Sequence, residues 1–311
     1  MFIFLTLLGF VYEKYKLKFE PDEELKKYDM VQKFLLNGGE GLGHKPLLWI
    51  HTSHPINNRF WPSFGSRNTN LLNEPYKISC VETIIKHCSE SFNICLIDDY
   101  SFHKLIPGWS IDMSKIAEPI KCHMRTLALS KLLYTFGGLL LPNSTVVFKD
   151  LKPLYDNALN KNDCFSVNLI NRTSSADYSN MLPTTKILGC KKNSATMKEF
   201  TSYLEILTGT DYTNEADFLG KANVWLKLKH KQNKITLVCG KLFGAEDAEG
   251  KEINVDRLMG DSFIKFSDNK YAICIPDDEI AKRTKYQWFS RLSQQQLRNC
   301  NTILAKHLLI A

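Results

Sequence analysis

Few side chains in this sequence are grouped in ways that could do chemistry. Asp98 and Asp99 close the apolar run FNICLIDD. Two carboxylates at a strand end could bind a ribose hydroxyl, and a strand-end turn that favours Asp accounts for them equally well. Glu215 and Asp217 in TNEADF could supply a general base. Acids just after a capping residue, here Thr213, are also what the positive end of a helix selects, and that reading is the simpler one. Arg125 and Lys131 in MRTLALSKLL could meet phosphates or could lie on a helix surface. His51 ends the run PLLWIH, and Arg59, Trp61 and Arg67 follow in HPINNRFWPSFGSR. That mixture of cations, aromatics and small polar residues suits a sugar, a phosphate or a protein partner, or simply an ordered loop.

Several chemistries are disfavoured at once. The nine cysteines are scattered, with no CxxC pair, so zinc ribbons and thioredoxin-type redox sites do not fit. Most sit inside apolar runs and read as small buried hydrophobes of a reducing compartment. The eight histidines form no HExxH, and His51 with His54 at a strand end is a poor metal pair. No metal site is expected. The net charge of +7 is spread among alternating lysines and acids, and no nucleic-acid motif accompanies it. The exception is Lys221 to Lys234, KANVWLKLKHKQNK, with five lysines and no acid. It could meet phosphate or a membrane surface. A solvated amphipathic helix with Val224, Trp225 and Leu228 turned inward is the plainer expectation.

The elements that must position these residues alternate. PLLWIH (46–51) is strand-like, ISCVETIIKHC (78–88) is helical, and FNICLIDD (92–99) is a strand. MRTLALSKLLYTF (124–136) is a helix capped by Gly137-Gly138, with Leu127, Leu132, Leu133 and Phe136 on its apolar face. LLL (139–141), TVVF (145–148), DCFSVNLI (163–170), KILGC (186–190) and KITLVCG (234–240) continue the strands, with a helix over 191–207. FIKF and YAICIP pair as a hairpin around Ser267-Asp268-Asn269, and 285–309 forms one long helix or two. Strand–helix alternation followed by mixed strands indicates an α/β mixed sheet sandwiched by helices. Open sheets of this kind place sites at the carboxyl ends of strands. That singles out His51 onward, Asp98-Asp99, and the break Pro142-Asn143-Ser144. Proline donates nothing to a ladder, so Pro142 fits a strand end and not an interior.

The chain opens on an apolar segment, FIFLTLLGFVY, followed by Lys14, Lys16 and Lys18. As a helix, Phe2–Tyr12 spans ~16 Å against a hydrocarbon core of ~30 Å. It is too short to cross alone, and it lacks the basic start and cleavage site of a signal peptide. A marginal anchor, an interfacial helix and a packed first helix all remain open, with membrane attachment preferred. Lysines after the apolar run keep the body cytosolic. The expected layout is a hydrophobic segment (1–20), a helical arm with a glycine-rich loop (21–44), and a main domain (45–311).

The order of these elements resembles the sugar transferases with an Asp-x-Asp motif, including the capsular polysaccharide synthesis proteins. The resemblance rests on PLLWIH, ICLIDD and LLYTFGGLLLPNS over roughly 45–155, and more loosely on KILGC, TNEADFLG and YQWFSRLS. Some uncharacterised proteins of large DNA viruses, with a hydrophobic N-terminus and a proline after the glycine-led strand, look closer still. The resemblance implies a GT-A-like, Rossmann-like fold, a nucleotide-sugar donor and Mn²⁺ held by two aspartates. Aligned on Tyr134 and Gly137-Gly138, Pro142 and Ser144 stand where those aspartates belong, with Asn143 between them. Thr126 and Leu129 stand where the family has an Asp and an Arg. No carboxylate lies between Glu118 and Asp150 to take over. The expectation is therefore a glycosyltransferase-like, membrane-associated protein with a degenerate metal site. It would need no cofactor, with Mn²⁺ and nucleotide-sugar relevant only if the altered site still binds. An assembly component of a large DNA virus particle, with protein partners in the virion, is the first alternative. A metal-independent transferase is the second.

Overall fold

The computed structural model describes residues 45–53, 74–173, 180–210 and 214–311. The hydrophobic segment, the arm and glycine loop, His54, Arg59, Trp61, Arg67 and Thr213 lie outside the described residues. In chain order the first elements are β1 (Leu47–Thr52), α1 (Pro75–Cys88), β2 (Asn93–Asp98), α2 (Phe102–Leu105), α3 (Ile120–Phe136) and β3 (Gly138–Pro142). Then come β4 (Thr145–Val147), α4 (Lys152–Leu159), β5 (Cys164–Ile170), β6 (Met181–Cys190), α5 (Ala195–Thr210), α6 (Glu215–Lys231) and β7 (Thr236–Val238). The last elements are α7 (Val255–Met259), β8 (Ala272–Cys274), α8 (Asp277–Lys282), α9 (Gln287–Ser290), α10 (Gln294–Arg298) and α11 (Ile303–Ile310).

Six strands form one mixed sheet in the order β2-β1-β3-β6-β5-β7. β1 is parallel to both β2 and β3, and β5 is parallel to β7, while β6 runs antiparallel to β3 and β5. The sheet is mostly parallel, and its central strands are apolar on both faces, as sheets covered on both sides require. Leu47, Trp49, Leu140 and Leu188 meet α3, α5 and α6 on one face. Leu48, Ile50, Leu139, Leu141 and Phe165 meet α1 and α4 on the other. The alternation along β1 and β3 follows the two-residue strand period.

Trp49 shows how tightly β1 is held. Its ring is fully buried against Phe136, and its Nε1 donates to the Gly137 carbonyl at 2.9 Å. Burying ~200 Å² of indole at ~25 cal/mol per Å² is worth about 5 kcal/mol. The glycine pair earns its place sterically. The Gly137 N–H donates to Leu133 O at 2.7 Å, ending α3. Gly138 has φ +104°, and a Cβ there would lie 2.3 Å from the Leu47 carbonyl. Only glycine lets β3 approach β1 so closely.

Two expectations about the C-terminal part are corrected. Residues 263–266 form no strand, so the proposed hairpin is absent. β8 instead pairs antiparallel with β4, from Thr145↔Cys274 to Val147↔Ala272. The long helix or two expected over 285–309 are instead three short ones, α9, α10 and α11, which bury Phe289, Leu297, Ile303 and Leu304 in a third core with Tyr76 and Val146. Capping explains the interruptions. The Ser293 side chain accepts from Gln296 N and forms a capping box, and the Thr302 side chain accepts from Ala305 N. Each starts a new helix where the longer periodic reading expects continuation. Among the described residues, no helix is long and apolar enough to cross a membrane. All nine cysteines are free, and only Cys239 is exposed.

Candidate functional site

The chain leaves β1 towards β2 on one side and returns to β3 on the other. The carboxyl ends of β1 and β3 therefore form the topological switch point, where open α/β sheets leave a crevice. His51 and Pro142 are register partners at that edge. Pro142 is the last residue of β3, where the ladder stops. A cleft of about 220 Å³ opens there. Leu129, Leu140, Leu141, Leu188 and Leu219 give it an apolar lining, and His51, Lys77, Asn143, Lys186, Glu215 and Asp277 supply the polar groups. A second cavity of about 150 Å³ shares Thr185, Lys186, Glu215 and Leu219 with it and continues to Arg172 and Asp278.

All but one of the positions that the family resemblance marks out sit at this cleft. Thr126, Leu129, Pro142 and Asn143 line it. The Thr126 hydroxyl donates back to Cys122 O at 3.0 Å. Ser144 turns away: it is buried, its Oγ donates to Ile275 O at 3.2 Å, and its carbonyl accepts from Ile275 N at 3.0 Å. A divalent cation of this kind needs hard, preferably anionic oxygens. Pro142 has no donor atom, Asn143 offers a neutral amide, and the Ser144 hydroxyl is spent on a backbone carbonyl. These residues do not fit Mn²⁺. Among the described residues, no three His, Cys, Asp or Glu side chains are grouped to hold a metal.

The charges in the cleft come from elsewhere in the chain. Pairing of β8 with β4 brings Asp277 to the edge beside the Pro142–Ser144 turn. Lys77 Nζ lies 2.7 Å from Asp277 Oδ2 and also pairs with Glu74. Lys186 Nζ lies 3.5 Å from Asp278 Oδ1. Burial works against ionisation of Asp277, but Lys77 and Lys186 outweigh it and hold the carboxyl below its ordinary value. Burial likewise works against the charge on Lys186, and Asp278 and Asp277 outweigh it. The cations are already balanced by acids of the same edge. The Cys122 thiol is pushed up to about 12 by burial, with Glu215 and Glu118 adding to the effect, so it stays protonated and is no nucleophile.

One wall of the cleft rests on a charged cluster. Arg125 grips Asp99 in bidentate fashion, Nε to Oδ1 and Nη2 to Oδ2, both at 2.8 Å. Its Nη1 donates to Glu118 Oε1 at 2.8 Å. His51 Nε2 lies 3.1 Å from Asp99 Oδ1, and Lys121 Nζ lies 3.8 Å from Oδ2. The His51 ring stacks on Phe102, with centroids 5.4 Å apart. The Asp99 side chain is 4% exposed. Burial would raise its carboxyl, but hydrogen bonds and charge from His51 and Arg125 hold it well below the carboxylate range.

The other sequence candidates have separate settings. Asp98 Oδ1 accepts from Ser101 N at 2.9 Å and Ser101 Oγ at 2.6 Å, the turn chemistry of a strand end. Lys131 pairs with Glu205 at 2.7 Å and lies over the Trp109 ring. Glu215 opens α6 and lines the cleft. Asn214 caps α6 by accepting from Asp217 N at 2.9 Å. The structure thus brings together His51, Asn143 and Glu215, with Asp99 and Arg125 behind His51. Sequence reasoning missed Lys77, Lys186 and Asp277. Their only sequence signals are single lysines within otherwise uncharged segments, PYKISC and TTKILGC, and the acids of IPDDE after a strand.

The fold is a mixed α/β sandwich with a mostly parallel sheet and a switch-point cleft. No protein-family model matches the chain, and no curated protein matches it. Among solved structures it is similar to the galactosyltransferase LgtC, in complex with donor and acceptor sugar analogs. The likeness has 11% identity and a TM-score of 0.34, and covers 63% of this chain and 74% of that one.

Proposed function

We propose that this chain is a glycosyltransferase-like domain that has lost metal-dependent sugar transfer. The observation that carries the reading is the set of neutral side chains where the resembling family has ionic ones: Thr126, Leu129 and Pro142 line the cleft, and Ser144 is buried away from it against the Ile275 carbonyl. In such transfer the departing diphosphate gains negative charge, and a divalent cation on hard oxygens stabilises it. Two neutral oxygens replace a double negative charge here, and the nearby lysines are neutralised by Asp277 and Asp278. Such a domain would serve as an assembly or structural component, including one in a virus particle. The apolar run Phe2–Tyr12 with its trailing lysines supports membrane attachment with the body facing the cytosol.

The test is thermal stabilisation by a panel of nucleotide-sugars with and without Mn²⁺. The expected melting curves are the same in both series. A shift of several degrees that appears only with Mn²⁺ would overturn the reading. Carbonate extraction of the full chain tests attachment, and release into the soluble fraction would contradict an inserted segment.

A second reading, metal-independent transfer, is favoured by one observation. His51 lines the cleft and is oriented by Asp99, the arrangement of a positioned acid–base group. It predicts nucleotide-sugar turnover that His51→Gln abolishes while donor binding persists. Turnover unchanged in that variant would refute it.

A further inference from the structure

We propose that the outer face of α6 docks on an anionic membrane surface. The helix does not lie as its apolar periodicity suggests. It buries Phe218, Ala222, Asn223 and Leu226, and turns Val224 and Leu228 outward, 37% and 50% exposed, contrary to the inward placement expected from sequence. Lys221, Lys227 and Lys231 occupy positions three to four residues from these two along the helix, which places them on the same outer surface. Ile206 of α5 adds a third exposed aliphatic side chain, 67% exposed. It stands one turn beyond Tyr203, whose ring stacks on Trp225 and whose hydroxyl donates to Lys221 O at 3.5 Å.

The charge of the face is mostly positive. Residues 221–234 hold five lysines and no acid. Glu199 of α5 offsets one edge by pairing with Lys229 at 2.6 Å and Lys234 at 3.0 Å, and Asp217, four residues before Lys221, adds a carboxylate at the N-terminal end. Lysines interleaved with exposed aliphatics on a helix face are complementary to a negatively charged lipid interface, where headgroups meet the cations and the acyl boundary takes the apolar tips. An acidic protein would be served by the lysines alone and gives no role to Val224 and Leu228. Membrane attachment commonly combines an apolar anchor with a basic patch that meets anionic headgroups. The α6 face supplies the second, independently of whatever the cleft binds.

The experiment is co-sedimentation of the full chain with phosphatidylcholine vesicles, with and without phosphatidylserine. Insertion of the N-terminal segment gives binding to the neutral vesicles, and any phosphatidylserine dependence from Lys14, Lys16 and Lys18 survives substitution of the α6 lysines. Docking through α6 gives an increment that needs phosphatidylserine and fades with salt. Each lysine near such a surface is worth about a fivefold change in partitioning. The double variant K227E/K231E should therefore lose the phosphatidylserine increment by more than tenfold, and V224Q/L228Q should lower it several-fold. K104E/K161E, an equal charge change on other exposed elements, should leave it intact. Melting curves confirm that each variant is folded. The proposal is overturned if no phosphatidylserine increment exists, if K104E/K161E abolishes it equally, or if V224Q/L228Q has no effect while K227E/K231E does. That last outcome would point to an acidic protein partner.

Discussion

Replacing Asp99 by asparagine tests whether the Arg125–Asp99–His51 cluster holds the cleft wall in place. The substitution keeps size and one acceptor oxygen but removes the charge. Arg125 loses the anion it grips through two hydrogen bonds at 2.8 Å and keeps only Glu118, at 2.8 Å. Lys121, 3.8 Å away, and the His51 ring, 3.1 Å away, lose the same carboxylate. Charge-assisted hydrogen bonds are worth about 1.5–3 kcal/mol each, and orphaning one member of a buried pair costs about 3–5 kcal/mol. Asparagine still accepts one bond, so about 3 kcal/mol is expected. The assay is urea unfolding at neutral pH for D99N, R125M and the double variant. Removing both partners should cost clearly less than the two single losses combined. The pH dependence has a definite sign. The folded Asp99 carboxyl titrates below its unfolded value of ~3.9, so its contribution is complete above that pH and fades as pH falls further. D99N should lack this acid-side loss. A destabilisation below about 1 kcal/mol, or strictly additive variants, would refute the reasoning.

Three further substitutions follow from other parts of the fold. Gly138→Ala places a Cβ 2.3 Å from Leu47 O at φ +104°, so a loss of at least about 1–3 kcal/mol is expected in chemical denaturation. A near-neutral result would mean that β1 and β3 are not packed so closely. Ser144→Asp puts a carboxylate against the Ile275 carbonyl in a buried position, and should cost about 3–5 kcal/mol. Calorimetry should show no recovery on adding Mn²⁺, and a metal-dependent rise in melting temperature would count against the geometry. Burial, with the nearby charge of Lys270, lowers His307 to about 4. The unfolded chain takes up that proton first, near pH ~6.5, so stability should fall as pH drops from there to about 4. His307→Leu should flatten this part of the pH–stability curve measured by urea midpoints, and an unchanged slope would exclude His307 as its source.

The strands of the main sheet were legible because each is a compact apolar run, and the register of β1 with β3 makes His51 and Pro142 neighbours as strand ends. The pairing of β4 with β8 was not legible. Its partners lie far apart in the chain, and local pattern favoured the nearer FIKF segment. The orientation of α6 escaped for another reason. Phe218, Ala222 and Leu226 compete with Val224, Trp225 and Leu228, so apolar spacing alone does not choose the buried face. At the site, the strand-end positions could be placed from order and resemblance. The charges that fill the cleft could not, because Lys77, Lys186 and Asp277 acquire meaning only through one another.

The β4–β8 ribbon sets an order of events during synthesis. β4 is emitted directly after the switch-point edge, yet its partner strand Ala272–Cys274 and the Ile275 backbone that satisfies Ser144 come near the end of the chain. Until those residues leave the ribosome, β4 is a bare three-residue edge of Thr145, Val146 and Val147, which are buried in the finished fold, and Lys77 has Glu74 but not yet Asp277. The parallel half of the sheet can settle early, while the cleft is completed only once β8 and Asp277 have emerged. A nascent chain stalled before β8 would expose an adhesive strand edge, the kind of surface that chaperones shield and that otherwise recruits a neighbouring chain.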